Sequence, residues 1–308
     1  MTEPSDNVNT DNENKKVIKE EINLQFHWYI FSFLLIYMGS FMLPGILFFS
    51  YIMFYFVPLF LDNPSIIAIF TSLDSFLALI LMPLVILGCY ILHLLLMGVI
   101  TRILWRYTEK KSPTKDGNIP RNIPSKTLNY YHIRSFMIKY SKNCFTKGPF
   151  PWLSNWFYNF VGTNKIGKGT TIEEQVCADK YIDVGENCYI GVNSVLTSHF
   201  VEGIFGRITY FKIKVGDNTT LGGYNCIAPG TDIKDNCYLI PMAHAAKHYT
   251  VKGKNYYFGA PLHKIFKKKL MAYLHVSLDD LNYAKELEKQ QLEKINSKNK
   301  SSEVSSND

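Results

Sequence analysis

The sequence predicts a mainly β protein: a left-handed parallel β-helix, preceded by two transmembrane α-helices and followed by a C-terminal helix. Three observations predict it. An aliphatic residue recurs at every sixth position through Ile166, Ile172, Ala178, Val184, Ile190 and Leu196, and again through Val215, Leu221, Ile227, Ile233 and Leu239. Four positions after each aliphatic residue stands a small or β-branched one, as at Thr170, Val176, Cys188, Ser194, Thr219, Thr231 and Cys237. Ahead of this repeat, residues 26–104 are crowded with apolar side chains. A period of six fits neither a helix nor a plain strand. It fits a triangular coil of three hexads, with the aliphatic residue inside the prism and the small residue at the corner. Gly167, Gly185, Gly191, Gly216 and Gly222 follow the aliphatic positions and suit tight corners.

The elements follow in order. Residues 1–25 are polar and read as a disordered N-terminus; no apolar core with a cleavage site follows, so they do not form a signal peptide. Phe26 to Leu61 holds no Asp, Glu, Lys or Arg, and Ser65 to Thr101 holds only Asp74. Each stretch exceeds the roughly 20 residues that one bilayer crossing needs. Residues 26–104 therefore read as a helical hairpin turning at Asp62-Asn63-Pro64, with kinks at Pro44-Gly45 and Pro83. Asp74 falls near the outer end of the second span. Lys15, Lys16 and Lys19 precede the hairpin and Arg102, Arg106, Lys110, Lys111 and Lys115 follow it. The positive-inside rule then places both termini and the β-helix in the cytoplasm of a multi-pass membrane protein. The net charge of +7 belongs to this membrane flank, where bases meet anionic lipid headgroups. No nucleic-acid-binding motif accompanies it, so nucleic acid is not an expected partner. The six cysteines lack metal spacing and read as small buried hydrophobes of a reducing compartment.

Residues 105–160 read as a juxtamembrane connector of one or two short helices, with Trp152 and Trp156 one helical turn apart as anchors or core residues. Residues 161–262 form the β-helix. Residues 263–297 read as an amphipathic helix with Leu274, Leu278, Leu281, Ala284, Leu292 and Ile295 on one face. Residues 298–308 are a disordered tail by composition.

The chemistry is expected where the beat breaks. Leu196 and Val215 are out of phase, so residues 197–214 must leave the prism as a loop. Loops on a rigid scaffold carry function. This one opens with His199, and Glu202 follows three residues later. A histidine can take a proton from an amine or hydroxyl nucleophile, and a carboxylate on its other nitrogen fixes the tautomer. Arg207, Lys212 and Lys214 add positive charge for a phosphate-bearing substrate. His244 falls in an outward slot and could face substrate. His199, His244 and His248 together could instead hold zinc, as in the gamma-class carbonic anhydrases; the preferred reading has no metal.

The order of motifs carries a resemblance. It comprises Val161-Gly162-Thr163, Lys165-Ile166-Gly167, Thr197-Ser198-His199-Phe200-Val201-Glu202, Val215-Gly216-Asp217 and Phe258-Gly259-Ala260-Pro261. Over roughly residues 70–265 the chain resembles the membrane-embedded terminal domain of non-ribosomal peptide synthetases of the epsilon-poly-lysine synthetase type, related to the hexapeptide-repeat acyltransferases. The resemblance implies amide-bond formation, a homotrimer, and a carrier protein or synthetase as partner. In that family the Glu precedes Asp-Arg; here Gly203 and a displaced Arg207 stand instead. The expected protein is thus a membrane-anchored acyltransferase. It would move an acyl or aminoacyl group from a coenzyme A or phosphopantetheine-carrier thioester to an amine or hydroxyl, with no other cofactor. A non-catalytic trimeric membrane scaffold and a zinc-dependent hydratase are the alternatives.

Overall fold

The computed structural model describes residues 26–62, 65–173, 180–283, 285–287, 289–290 and 293. The readings made for residues 1–25, Asn63, Pro64, Val176, Ala178, Ala284, Leu292, Ile295 and 298–308 lie outside the described residues.

Two long apolar helices come first. Helix α1 (Phe26–Tyr51) continues through a π-helical stretch, Ile52–Leu61; α2 (Ile66–Thr71) is short, and α3 spans Leu73–Lys111. Pro58 has no N–H to donate, and around it the helix widens to i→i−5 pairing, as in the Asp62 N–H bond to the Val57 carbonyl at 3.0 Å. Asp74 sits in the first turn of α3, behind the Ser72 cap that accepts from the Ser75 N–H. A carboxylate there complements the helix dipole. The two helical stretches, Phe26–Leu61 and Leu73–Lys111, have 36 and 39 residues and are long and apolar enough to cross a membrane. At 1.5 Å per residue they run about 54 and 58 Å, well beyond a hydrocarbon core of about 30 Å.

The surplus length is covered by α4 (Lys126–Thr146) and α5 (Leu153–Val161). Phe33 of α1 meets Tyr140 of α4 edge-on at 5.3 Å, and the Thr101 and Ser141 hydroxyls are 2.7 Å apart. Arg102 donates to the Phe160 carbonyl at 2.7 Å and lies over the Phe160 ring, so it braces α5 rather than lying free for headgroups. Within residues 105–160 the structure has α4 and α5, packed on the two long helices, together with a strand at Gly117–Pro120. The sequence hides this because the buried stripe of α4 (Leu128, Tyr131, Ile138, Phe145) is interrupted by Arg134, Ser141 and Lys142, which are buried as well. Trp156 stacks on Phe160 but is itself exposed, as is Trp152, so neither is a core residue.

The repeat folds as a parallel coil. Strands pair with partners 18 residues further on: Thr171 with Tyr189, Lys214 with Asp232, Cys226 with His244. Three parallel sheets make the three sides. The aliphatic positions Val184, Ile190, Leu196, Val215, Leu221, Ile227, Ile233 and Leu239 are buried, and Ala245, Val251 and Tyr257 continue the beat beyond them. Corner residues are buried too, and their polar atoms are satisfied by neighbouring backbone. The Ser194 hydroxyl donates to the Gly222 carbonyl, and the Asn225 amide oxygen accepts from the Ala243 N–H. A left-handed backbone recurs every six residues at Asn187 and Asn193, then at Asn236, Met242, His248 and Lys254. Gly167 and Gly216 do not supply that conformation; a Cβ on either would meet the backbone or side chain of the next coil at 2.3 and 2.2 Å. Close approach between coils, not the turn, demands those glycines. Helix α5 caps the first coil, with the Asn159 side chain bonded to both the N–H and the carbonyl of Ile166.

The far end departs from the expected helix over 263–297. Strand His263–Ile265 returns antiparallel on Tyr256–Phe258, so this sheet is mixed, and α6 is only Lys267–Tyr273. His275 takes a left-handed backbone and ends α6. Ser277 and Asp280 then exchange cap hydrogen bonds that start a new helical stretch at Leu278. Leu274, Leu278 and Leu287 are exposed, so their apolar side is not packed on the prism.

Candidate functional site

The excursion is an ordered β-hairpin. Across it the pairing offset becomes 31 residues instead of 18, as between Ile182 and Ile213, so thirteen extra residues leave the coil and the register resumes. Strands His199–Glu202 and Arg207–Tyr210 pair antiparallel, with Gly203–Phe205 at the tip. A third strand, Gly117–Pro120, pairs with Arg207–Tyr210 and comes from the segment after α3. The segment that follows α3 thus joins the hairpin's sheet.

His199 and Glu202 are three residues apart in an extended strand, so their side chains leave on opposite faces. His199 is paired in register with Tyr210, and its half-buried ring lies edge-on to Tyr131 of α4 at 5.7 Å. This face packs on the cluster of Ile119, Leu128, Tyr131, Ile208 and Tyr210. Glu202 faces the other way. Its Oε2 accepts from Arg207 Nε at 2.8 Å and Thr209 Oγ1 at 2.7 Å, and its Oε1 from the Lys247 ammonium. The expected role of Glu202 as orienter of His199 is therefore corrected. The three donors, Lys247 foremost, hold its carboxyl at about 2, below the usual carboxylate value. Glu202 ties the hairpin to the prism corner that carries Lys247.

The remaining predicted residues are dispersed. Arg207 is half exposed and committed to Glu202. Lys212 Nζ donates to Asp183 Oδ2 at 3.1 Å and lies over Tyr181. Lys214 is exposed within a row of alternating charge, Lys165, Asp183, Lys214 and Asp232, on one outer side of the coil. His244 is exposed on another side, opposite Cys226. His248 packs edge-on against Phe211 at 4.4 Å, so the three histidines of the zinc alternative do not converge. Among the described residues no group of three His, Cys, Asp or Glu side chains is gathered as a metal site.

The site contains residues that the sequence did not single out. Lys180 is almost fully buried, donates to the Ser135 hydroxyl, and lies 4.2 Å over the Tyr131 ring. Its carbonyl accepts from Ser198, the residue before His199. His132 is held below the ordinary imidazole value by burial, then by the cations of Lys180 and Arg121. Beside this cluster lies a cavity of about 230 Å³ lined by Trp105, Glu109, Thr163, Tyr181, Tyr210 and Lys212. The buried Thr163 hydroxyl has no hydrogen-bond partner among the described residues. Burial, then Asp116 and Asp183, pushes the Tyr181 phenol up to about 12. Tyr210 joins the two features: its ring walls the cavity and its backbone opposes His199.

Residues 181–204 and 212–239 match the family model described as the hexapeptide repeat of succinyl-transferase; the two stretches stop and resume at the hairpin. The chain carries the hexapeptide repeat. Among solved structures it is similar to a maltose O-acetyltransferase from Clostridium difficile 630, at 21% identity and a TM-score of 0.31, over 34% of this chain and 59% of that one. A hexapeptide-repeat containing acetyltransferase from Vibrio cholerae, complexed with acetyl coenzyme A, aligns at 16% identity and a TM-score of 0.36, over 41% and 81%. A soybean serine acetyltransferase complexed with serine aligns at 14% identity and 0.29, over 57% and 76%. This chain spans less than two thirds of the length of the Clostridium protein. No curated protein matches the sequence.

Proposed function

We propose that this chain is a membrane-anchored hexapeptide-repeat acyltransferase whose coil is left-handed and whose prism and termini face the cytoplasm. The observation that supports it best is the hairpin that, among the described residues, interrupts the coil and pairs a half-buried His199 in register with Tyr210, a residue lining a polar cavity. The acyl or aminoacyl donor is a thioester of coenzyme A or of a carrier-protein phosphopantetheine, and the acceptor amine or hydroxyl occupies the cavity lined by Thr163, Tyr210 and Lys212. His199 takes the acceptor's proton as its N or O attacks the thioester carbonyl. The C–S bond then breaks, and the thiolate leaves with the proton returned from the imidazolium. Lys180 and Tyr131 position His199, and Glu202 fixes the hairpin through Arg207, Thr209 and Lys247. For the donor's phosphates the geometry favours Lys214 and His244, both exposed, over Arg207 and Lys212, which are already paired. A trimer fits the hairpin tip, where Ile204 is 96% and Phe205 68% exposed.

The test is acyl transfer from a panel of thioesters to amine and hydroxyl acceptors in reconstituted bilayers. His199→Ala is expected to lower turnover by roughly 10²–10⁴-fold, the contribution of a general base, with the thermal transition unchanged. Full activity in that variant removes the assignment of His199 as the base; no transfer from any thioester by the unaltered protein leaves the chain as a non-catalytic scaffold.

A further inference from the structure

Charge alternates along one outer side of the coil through Lys165, Asp183, Lys214 and Asp232, and Lys212, Lys234 and Lys247 pair with Asp183, Asp232 and Glu202. The last coil breaks that balance. Residues 252–269 hold six lysines, Lys252, Lys254, Lys264, Lys267, Lys268 and Lys269, and no Asp or Glu. All six are exposed, and none has an ion partner among the described residues. The acids of the preceding coil, Asp232 and Asp235, are engaged by Lys234 and by the Asp217 N–H. The fold gathers these cations at one corner. Lys254 takes a left-handed backbone there and donates its N–H to the Asp235 carbonyl at 2.9 Å, and the Lys252 carbonyl accepts from the Tyr257 hydroxyl at 2.9 Å. Strand His263–Ile265 returns with Ile265 opposite Tyr256, which carries Phe266 and Lys267 back toward that corner. Phe266 is 75% exposed, an aromatic ring amid the ammonium groups.

Position decides which anion these cations meet. Arg102 of α3 bonds to α5, which caps the first coil, and further along the same helix Glu109 lines the cavity shared with Lys212, beside the third coil. The stack of coils thus climbs with the end of α3, away from its apolar stretch. Four strand steps, from Lys165 through Asp183, Lys214 and Asp232 to Thr250, separate the first coil from the last. At about 4.8 Å per step they span roughly 19 Å, whereas lipid headgroup charge is screened within about 8–10 Å. The counter-charge therefore comes from solution. No arginine follows Arg207 in the sequence, so the corner lacks the guanidinium forks that favour nucleic-acid phosphates. Ammonium groups around an exposed ring instead match carboxylates around an apolar side chain.

We propose that this corner docks an acidic amphipathic helix of a partner protein, with its carboxylates on the lysines and an apolar side chain against Phe266. Such docking is independent of the acyl-transfer reading. The experiment uses the full chain in nanodiscs of neutral lipid and a fluorescent helical peptide with Glu along one side and Leu beside it. Anisotropy reads its binding, next to an oligo-glutamate and a single-stranded oligonucleotide of equal charge. The peptide is expected to bind, and more weakly as salt is raised. Lys252→Glu with Lys254→Glu turns two attractions into repulsions and should weaken it roughly tenfold or more. Lys115→Glu with Lys168→Glu makes the same change of net charge elsewhere and should leave binding unchanged. Phe266→Ser should weaken the peptide roughly tenfold, as loss of an aromatic anchor does, and leave the oligo-glutamate as it was. No binding of the peptide, equal loss in the two charge-reversed pairs, indifference to Phe266→Ser, or tighter binding of the oligonucleotide overturns the proposal. Binding to phosphatidylserine vesicles that is lost in Lys252→Glu with Lys254→Glu assigns the corner to lipid and overturns it as well.

Discussion

Lys247 reaches back 45 residues to Glu202, and this ion pair clamps the inserted hairpin to a corner of the coil two turns further on. The clamp holds the strand that begins with His199, although neither partner lies on the histidine's face.

The clamp should be lost in acid. The three donors hold the folded carboxyl of Glu202 at about 2, below the usual carboxylate value of 4.5. Its contribution is therefore fully present above pH 4.5 and is lost as pH falls toward 2. The protection factors of residues 199–210 in amide hydrogen exchange, taken against the intrinsic rate at each pH, should fall through that window. In Glu202→Gln the hairpin should exchange faster at neutral pH, with little further change on acidification.

Glu109 is the ion partner of a buried cation. Arg134 Nη1 donates to Glu109 Oε1 at 2.6 Å and to the Ser112 carbonyl at 2.7 Å, with the arginine side chain only 3% exposed. Glu109→Ala leaves that guanidinium buried with a carbonyl alone, at a cost of about 3–5 kcal/mol. Thermal unfolding in detergent reads the loss. A double variant with Arg134→Met should recover most of it.

Gly167→Ala tests why glycine follows the aliphatic position. The added Cβ would lie 2.3 Å from the Gly185 carbonyl oxygen, and both sides of that contact are backbone. A loss of about 1–3 kcal/mol is expected from overpacking. Gly45→Ala, in open space, should leave the midpoint nearly unchanged.

The hairpin tip should govern assembly. Ile204→Ser with Phe205→Ser removes an exposed apolar pair without touching the core. If the proposed trimer forms through this tip, sedimentation should shift from trimer toward monomer while the secondary structure stays intact. A trimer unchanged by both substitutions would move the interface elsewhere on the prism.

The coil was legible because burial within it depends on position alone. Every sixth residue points inward whatever its neighbours are, so Val215, Leu221 and Ile227 announce the prism by spacing. The apolar helices were legible by length for the same reason. The site was less so. A His and a Glu three apart meet on a helix face but not along a strand, and nothing in residues 197–214 tells a hairpin from an irregular loop. Gly117–Pro120 carries no pattern that assigns it to a sheet 90 residues away. Lys180 lies in a corner whose burial depends on α4, and the stripe of α4 is broken by its own buried polar residues.

Only five residues separate the end of α3 at Lys111 from the strand Gly117–Pro120, and they are pinned: Ser112 by Arg134, Thr114 by Glu109, and Asp116 by the Lys212 N–H. No slack remains to absorb a change in helix inclination. With α3 in a bilayer, as proposed, a thicker or thinner lipid host that tilts it would swing the three-stranded sheet as one piece and carry His199 along. Membrane composition would then act on the imidazole as a lever acts on its far arm.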